Sequence, residues 1–316
     1  MRKTVLCGAA VGLLLAAAAF AADYGQRDNG QSENVWRVRG DNGELVHVLP
    51  DPASAEAWEH RFGGPSNEIP QRINGYSVFG ASYGAVPGAM NDHGGAVVSN
   101  AAFSAIYWNS ATAAALQSGI NSFLTNFSNS DPGMKVITQY SKGGNAISAS
   151  LTHGPDLVDN QAAPRKISDS QVQSYIAGLF NAGRIGVSTN TIYGVYLPQG
   201  TSSTMGSAAS CRSYCGYHSS FTYNGQTILY AVFPYLDCSG CTLSGKTVLN
   251  METIVTSHEI REAITDPVNA WWESASGYEA DDKCAWHNLY QQSGGAWVQP
   301  EYSNAMGGWP RGCITP

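Results

Sequence analysis

The 316-residue sequence is poor in charge, and this excludes several kinds of partner. Only 13% of its residues are charged, and 17 Lys and Arg stand against 24 Asp and Glu, a formal net charge of −7. A chain without a basic excess has no electrostatic footprint for phosphate backbones or anionic lipid heads. We therefore expect no nucleic-acid partner.

Long apolar runs are also scarce. The one near the start, Val11 to Phe20, is shorter than the roughly 20 residues that a membrane helix needs, so no membrane span is predicted. Arg2 and Lys3 precede this run, and Ala19-Phe20-Ala21 offers a small-x-small cleavage site. The pattern predicts a signal peptide over residues 1–21 and a secreted, extracellular protein, with the periplasm as an alternative.

No cysteine occurs between Cys7 and Cys211, and the mature chain keeps six in its last third: Cys211, Cys215, Cys238, Cys241, Cys284 and Cys313. An even number in an oxidising compartment predicts up to three disulfides, whose pairing the sequence leaves open. A zinc ribbon at Cys238 and Cys241 is the alternative, although no second C-x-x-C follows at ribbon spacing. We expect a disulfide-stabilised C-terminal third.

The rest of the chain divides by composition. Residues 22–72 are polar, with one strand-like run at 44–49, and are expected to be a polar leader or pro-segment. Residues 73–316 are expected to form a single α/β domain, with a cysteine-rich C-terminal subdomain as an open alternative. Its strand-like runs are 103–108, 134–140, 191–197 and 227–233, and helices are expected over 113–127 and after Ser168. This alternation predicts a mixed β-sheet packed with helices, an α/β (α+β) fold.

One segment, Met251 to Pro267, carries most of the functional information. Asn250 is expected to cap a helix that Pro267 ends. His258 and Glu262 continue an apolar stripe on this helix, and its opposite side is apolar too, so both side chains are predicted to face inward. A buried carboxylate is costly unless it is paired or bound to metal.

The spacing of these side chains predicts a zinc site. His258 and Glu262 lie four residues apart, as the two ligands of an H-E-x-x-H helix do, and Glu259 stands where the general base of such enzymes stands. We expect Glu279 as the third metal ligand, with Asp281 or Asp282 as alternatives. A buried hydrogen bond between His258 and Glu262, without metal, is the structural alternative.

Other candidate residues carry weaker signals. His218 follows Cys215 in the cysteine-rich region and is a candidate catalytic residue, as an oxyanion stabiliser, or a ligand. Five tryptophans are candidates for a carbohydrate or peptide groove, although such residues often pack in a core: Trp271, Trp272, Trp286, Trp297 and Trp309.

From Ile106 onward the order of motifs resembles the EXORDIUM or phosphate-induced protein family of secreted plant proteins and their bacterial relatives. The shared features are the run Tyr193-Gly-Val-Tyr-Leu197, Cys215-Gly-Tyr-His218, the C-x-x-C and the helix ending Ala263-Ile-Thr-Asp-Pro267. The resemblance implies an extracellular role in growth without a settled enzymatic activity. The plant pattern lacks the His-Glu pair, so His258 and Glu259 mark a departure from it.

Two functions are therefore predicted. The first is a secreted zinc-dependent hydrolase, a metallopeptidase that acts on an extracellular peptide or a cell-wall or carbohydrate substrate. The second is a noncatalytic extracellular binding or signalling protein of the EXORDIUM type.

Overall fold

The computed structural model describes residues 34–62, 71–73, 76–79, 88–274, 276–304 and 312–316. The helices are α1 (Pro52–Phe62), α2 (Ser110–Ser130), α3 (Pro132–Val136), α4 (Asp169–Asn181) and α5 (Val248–Thr265), with 3-10 turns at Ile137–Tyr140, Ser239–Cys241 and Asp282–Cys284. The strands are β1 (Arg37–Arg39), β2 (Leu45–Pro50), β3 (Gln71–Ile73), β4 (Tyr76–Phe79), β5 (Asn91–Asp92), β6 (Ala102–Trp108), β7 (Thr152–His153), β8 (Leu157–Asp159), β9 (Lys166–Ser168), β10 (Thr191–Tyr196), β11 (Ser202–Met205), β12 (Ala208–Ala209), β13 (Tyr214–Tyr223), β14 (Gln226–Phe233), β15 (Trp271–Trp272), β16 (Tyr290–Gln291), β17 (Trp297–Val298), β18 (Glu301–Ser303) and β19 (Gly312–Thr315).

An eight-stranded mixed sheet organises the fold. Its order is β1-β2-β13-β14-β10-β6-β7, with β8 also paired to β6. The strands β14, β10, β6, β7 and β8 run parallel, whereas β1, β2 and β13 extend the sheet antiparallel. The predicted mixed α/β fold is confirmed.

Helices cover both faces of this sheet. On one face α2 and α5 pack together, and α5 lies against β13 and β14. On the other face the apolar stripe of α4 contributes Val172, Ile176 and Leu179 to a second core. The central strands are buried on both faces, which explains why their sequences are nearly continuous apolar runs.

The N-terminal polar segment contributes to the main sheet. β2, the predicted strand-like run, pairs with β13, and Trp36 and Leu49 are fully buried in the core. Residues 34–50 are therefore built into the sheet, and the possible processing of residues 22–72 stays a prediction. The predicted signal peptide lies outside the described residues, among which no helix is long and apolar enough to cross a membrane.

The strand predicted over 134–140 is wrong. Asp131 caps α3 through a hydrogen bond from the Met134 amide, and Pro132 occupies its first turn. The apolar residues that favoured a strand are buried by this short helix and the 3-10 turn after it.

Three disulfides pin the C-terminal third, as predicted: Cys211–Cys238, Cys215–Cys241 and Cys284–Cys313. The two cysteines of the C-x-x-C bond to different partners. Their sulfurs are therefore not free thiolates, and the zinc-ribbon alternative is wrong.

Candidate metal centre

Helix α5 runs through the core, as its two apolar sides predict. Every residue from Met251 to Thr265 is buried. Thr247, rather than the predicted Asn250, is the N-cap, and the two form a reciprocal capping box. The helix ends at Thr265 because the residue before Pro267 disfavours helical geometry.

His258 and Glu262 face each other one turn apart on this helix. Their Nε2 and Oε2 atoms are 2.9 Å apart, yet His258 Nε2 has no hydrogen-bond partner among the described residues, because the direction of this contact is unsuitable. Two nitrogen or oxygen ligands of a tetrahedral zinc ion lie about 3.3 to 3.6 Å apart, given metal–ligand bonds of about 2.0 to 2.2 Å. The pair is slightly closer than this, so a small separation of the two side chains would bring them to the spacing of two ligands of a common ion.

The acidic segment after β15 supplies further ligand atoms. Asp282 Oδ1 lies 3.6 Å from His258 Nε2 and also has no hydrogen-bond partner among the described residues. The Asp282 amide donates to Glu262 Oε1 at 3.0 Å, which fixes this loop on the helix. Asp281, by contrast, is hydrogen-bonded to Arg261. Of the two alternatives for the third ligand, Asp282 thus lies beside the helical pair and Asp281 pairs with a buried cation.

Glu279 lies in a second, overlapping group of potential ligands, with His47 and Glu262. Its Oε2 atom is buried without a hydrogen-bond partner among the described residues and is 3.5 Å from His218 Nε2. Glu262 is common to both groups. Glu279 is therefore grouped with Glu262 and His47, whereas Asp282 is grouped with Glu262 and His258.

Glu259 on α5 pairs with His218 on the neighbouring strand, β13. His218 on β13 meets Glu259 Oε2 through Nδ1 at 3.0 Å, and the same atom is 3.8 Å from Glu262 Oε2. Gly216 leaves the space for this contact, since a Cβ there would lie 3.0 Å from Glu259 Oε1. His218, which had only a weak sequence signal, is thus in direct contact with the predicted general base.

His47 was missed by sequence reasoning. It lies on β2 directly opposite His218 of β13, and its Nε2 atom is 3.1 Å from Glu279 Oε1. Arg37 Nε donates a hydrogen bond to the same nitrogen at 2.8 Å. The available signal for His47 was its position as the single polar residue in the apolar run Leu45–Leu49, because such a run predicts a buried strand.

The cluster concentrates buried carboxyl groups, and this raises their pKa values. Burial raises the pKa of Glu259 to about 8. Burial and the nearby charge of Glu259 raise the pKa of Glu262 well above its usual range, and burial with neighbouring carboxylates does the same for Glu279 and Asp282. A divalent cation would offset this repulsion and allow the carboxylates to ionise. The donor set, imidazole nitrogen with carboxylate oxygen, suits zinc.

Burial also favours the neutral form of two histidines of the cluster, His218 and His47. Burial lowers the pKa of His218 to about 4. Burial, followed by the charge of Arg37, lowers the pKa of His47 well below its usual value. Neutral imidazole is the form that binds a metal, or that donates one hydrogen bond from one ring nitrogen and accepts one at the other.

Access to the cluster is on the side of β2. The His47 side chain is 12% exposed, while His218 is 4% exposed and the others are less so.

The tryptophans of the described residues contact different partners: Trp272 is buried against His93, Trp286 donates to the Pro50 carbonyl, and Lys246 lies over Trp297. Trp309 lies outside the described residues.

Comparison with known proteins gave no relatives: no family, no curated protein and no solved structure matches this chain. The resemblance to the EXORDIUM family therefore stays a prediction. The functional argument depends on the geometry of the cluster.

Proposed function

We propose that this chain is a secreted zinc-dependent hydrolase, a metallopeptidase in which His258 and Glu262 hold the metal. The observation that carries the proposal is the 2.9 Å approach of His258 Nε2 to Glu262 Oε2 with no hydrogen-bond partner for the nitrogen among the described residues. A buried polar atom without a partner costs free energy, and a shared ion would remove that cost for His258.

Glu279 is the third ligand in this proposal, as the sequence indicates, and Asp282 is its alternative. Both carboxylates have a buried oxygen without a hydrogen-bond partner among the described residues. Carboxylate and imidazole are the ligand types of catalytic zinc sites that keep one position open. When bound, zinc would polarise the scissile carbonyl and lower the pKa of water.

Glu259 is the proposed general base. It would accept a proton from the attacking water as the new C–O bond forms, and pass that proton to the amine nitrogen as the C–N bond breaks. His218 holds the Glu259 carboxylate through Nδ1 at 3.0 Å and so acts as a positioning residue. An extracellular peptide is the proposed substrate, with a cell-wall or carbohydrate substrate as the alternative.

The test separates metal binding from chemistry. Glu259→Gln is isosteric and leaves His258 and Glu262 in place, so we expect it to keep zinc and to lose hydrolysis of a casein substrate. Glu56→Gln on the surface of α1 is the control, because its side chain is 70% exposed. Equal hydrolysis by the wild type and Glu259→Gln would contradict the proposed role of this carboxylate.

A noncatalytic binding protein of the EXORDIUM type is the second candidate, and one contact favours it. Gln299 Nε2 lies 3.1 Å from His258 Nδ1. If that amide donates, the proton of His258 resides on Nε2, which then has no lone pair for a metal. This candidate predicts that Glu259→Gln leaves function unchanged and that the wild type binds no zinc.

A further inference from the structure

We propose that His47 donates a hydrogen bond from Nδ1 to a carbonyl oxygen of the substrate, as a second electrophilic group beside the metal centre. This inference depends on the proposed hydrolase function. It assigns a catalytic role to the N-terminal segment, which the sequence indicated to be a leader.

The proton on Nδ1 follows from the contact with Arg37. A guanidinium group has donors and no acceptor, so the 2.8 Å bond from Arg37 Nε requires a lone pair on His47 Nε2. In a neutral imidazole the proton is then on Nδ1, and the 3.1 Å contact between Nε2 and Glu279 Oε1 is not a hydrogen bond donated by His47. The identity of the donor is firm here because, unlike an amide, guanidinium has no oxygen that could exchange places with its nitrogens.

This Nδ1 atom lacks a partner in the folded chain. It is buried and has no hydrogen-bond partner among the described residues, and its nearest carboxylate oxygen, Asp282 Oδ2, is 3.7 Å away. A buried N–H without an acceptor costs about 1 to 3 kcal/mol. An oxygen atom that enters the centre would accept this bond.

The position of His47 matches that role. β2 and β13 place His47 opposite His218, with ring centroids 6.0 Å apart. The Arg37–His47 pair therefore provides a hydrogen-bond donor next to the His218–Glu259 pair, which contains the proposed general base. His47 is also the most exposed side chain of the cluster.

The chemical class of the ligand follows from the donor. A neutral N–H held by a cation favours an oxygen that gains negative charge, such as the carbonyl oxygen of an amide under attack. An ammonium group would be rejected by Arg37 and would offer no acceptor. The substrate group at this position is therefore an acyl carbonyl.

The test uses binding of acetohydroxamate to the zinc-loaded full mature chain, measured by calorimetry together with zinc content. Asn at position 47 places an amide nitrogen near the position of Nδ1, whereas Gln places it near Nε2. We expect His47→Ala and His47→Gln to weaken hydroxamate binding about tenfold or more and His47→Asn to restore much of it, with zinc content unchanged. His60→Ala, at an exposed histidine of α1, is the control and should bind like the wild type.

The proposal would be overturned by unchanged binding in His47→Ala, by equal rescue by Gln and Asn, or by no hydroxamate binding to the zinc-loaded wild type. Loss of zinc from His47→Ala and His47→Asn alike would also overturn it, because His47 would then be needed for the metal. A wild-type chain that takes up no zinc would instead contradict the proposed function itself.

Discussion

Glu252 provides a test of the electrostatics of α5 that is independent of the metal. This carboxylate is fully buried. Its Oε1 atom accepts a hydrogen bond from the Leu236 amide at 3.0 Å, while Oε2 has no hydrogen-bond partner among the described residues. Burial raises its pKa to about 8, and Asp237 adds to the rise against the effect of the Leu236 amide.

The expected stability difference follows from that pKa. Because the folded pKa lies above the unfolded value of about 4.5, Glu252 favours folding below pH 4.5, and this contribution is lost as the pH rises to 8. The interval is about 3.5 pH units, and each unit is worth about 1.4 kcal/mol, which gives an upper limit of about 5 kcal/mol. Glu252→Gln keeps the acceptor for Leu236 and cannot ionise, so it should be more stable than the wild type at pH 8.5.

Urea unfolding of both proteins from pH 4.5 to 8.5 measures this difference. We expect a free-energy advantage of Glu252→Gln that is near zero at pH 4.5 and grows by up to about 1.4 kcal/mol per pH unit. Glu56→Gln, at an exposed position of α1, should show no such growth. An advantage of Glu252→Gln that stays constant with pH would refute the reasoning.

Three further predictions concern the residues and strands that surround the cluster. Arg261→Met should destabilise the fold by about 3 to 5 kcal/mol in urea unfolding, because it leaves the buried carboxylates of Asp281 and Glu301 without their cation; a loss below 1 kcal/mol would contradict this network. Gly216→Ala should lower the free energy of unfolding by about 1 to 3 kcal/mol in the same assay, because the added Cβ would collide with the Val255 side chain on α5. An unchanged urea midpoint would show that β13 and α5 can separate to make room, and would contradict this prediction. Intact-mass measurement should show that the protein retains residues 34–50, and a chain that starts after residue 50 would contradict the integration of β1 and β2 into the sheet.

The sequence predicted helix α5 well, for a physical reason. Apolar residues on both of its sides predict a helix that runs through the core, and their spacing places His258 and Glu262 on one stripe with Met251 and Val255. The central strands were also predictable, since β10 and β14 consist largely of apolar, aromatic and β-branched residues. Local periodicity was sufficient in both cases.

The remaining parts of the site depend on contacts between distant segments. His47 reaches the cluster because β2 pairs with β13, and strand pairing over such a separation leaves no periodic signal in either strand. The choice between Glu279 and Asp282 depends on how the loop after β15 folds onto α5. The Asp282 amide donates a hydrogen bond to Glu262, a contact that the spacing of the acidic residues does not encode.

Metal content tests the central claim most directly. We would measure it by mass spectrometry on the purified, signal-free protein and on His258→Ala after equilibration with zinc, with circular dichroism to verify the fold. The account predicts about one zinc per wild-type chain and none in His258→Ala. A folded wild-type protein that retains no zinc would contradict it and would favour the noncatalytic binding protein.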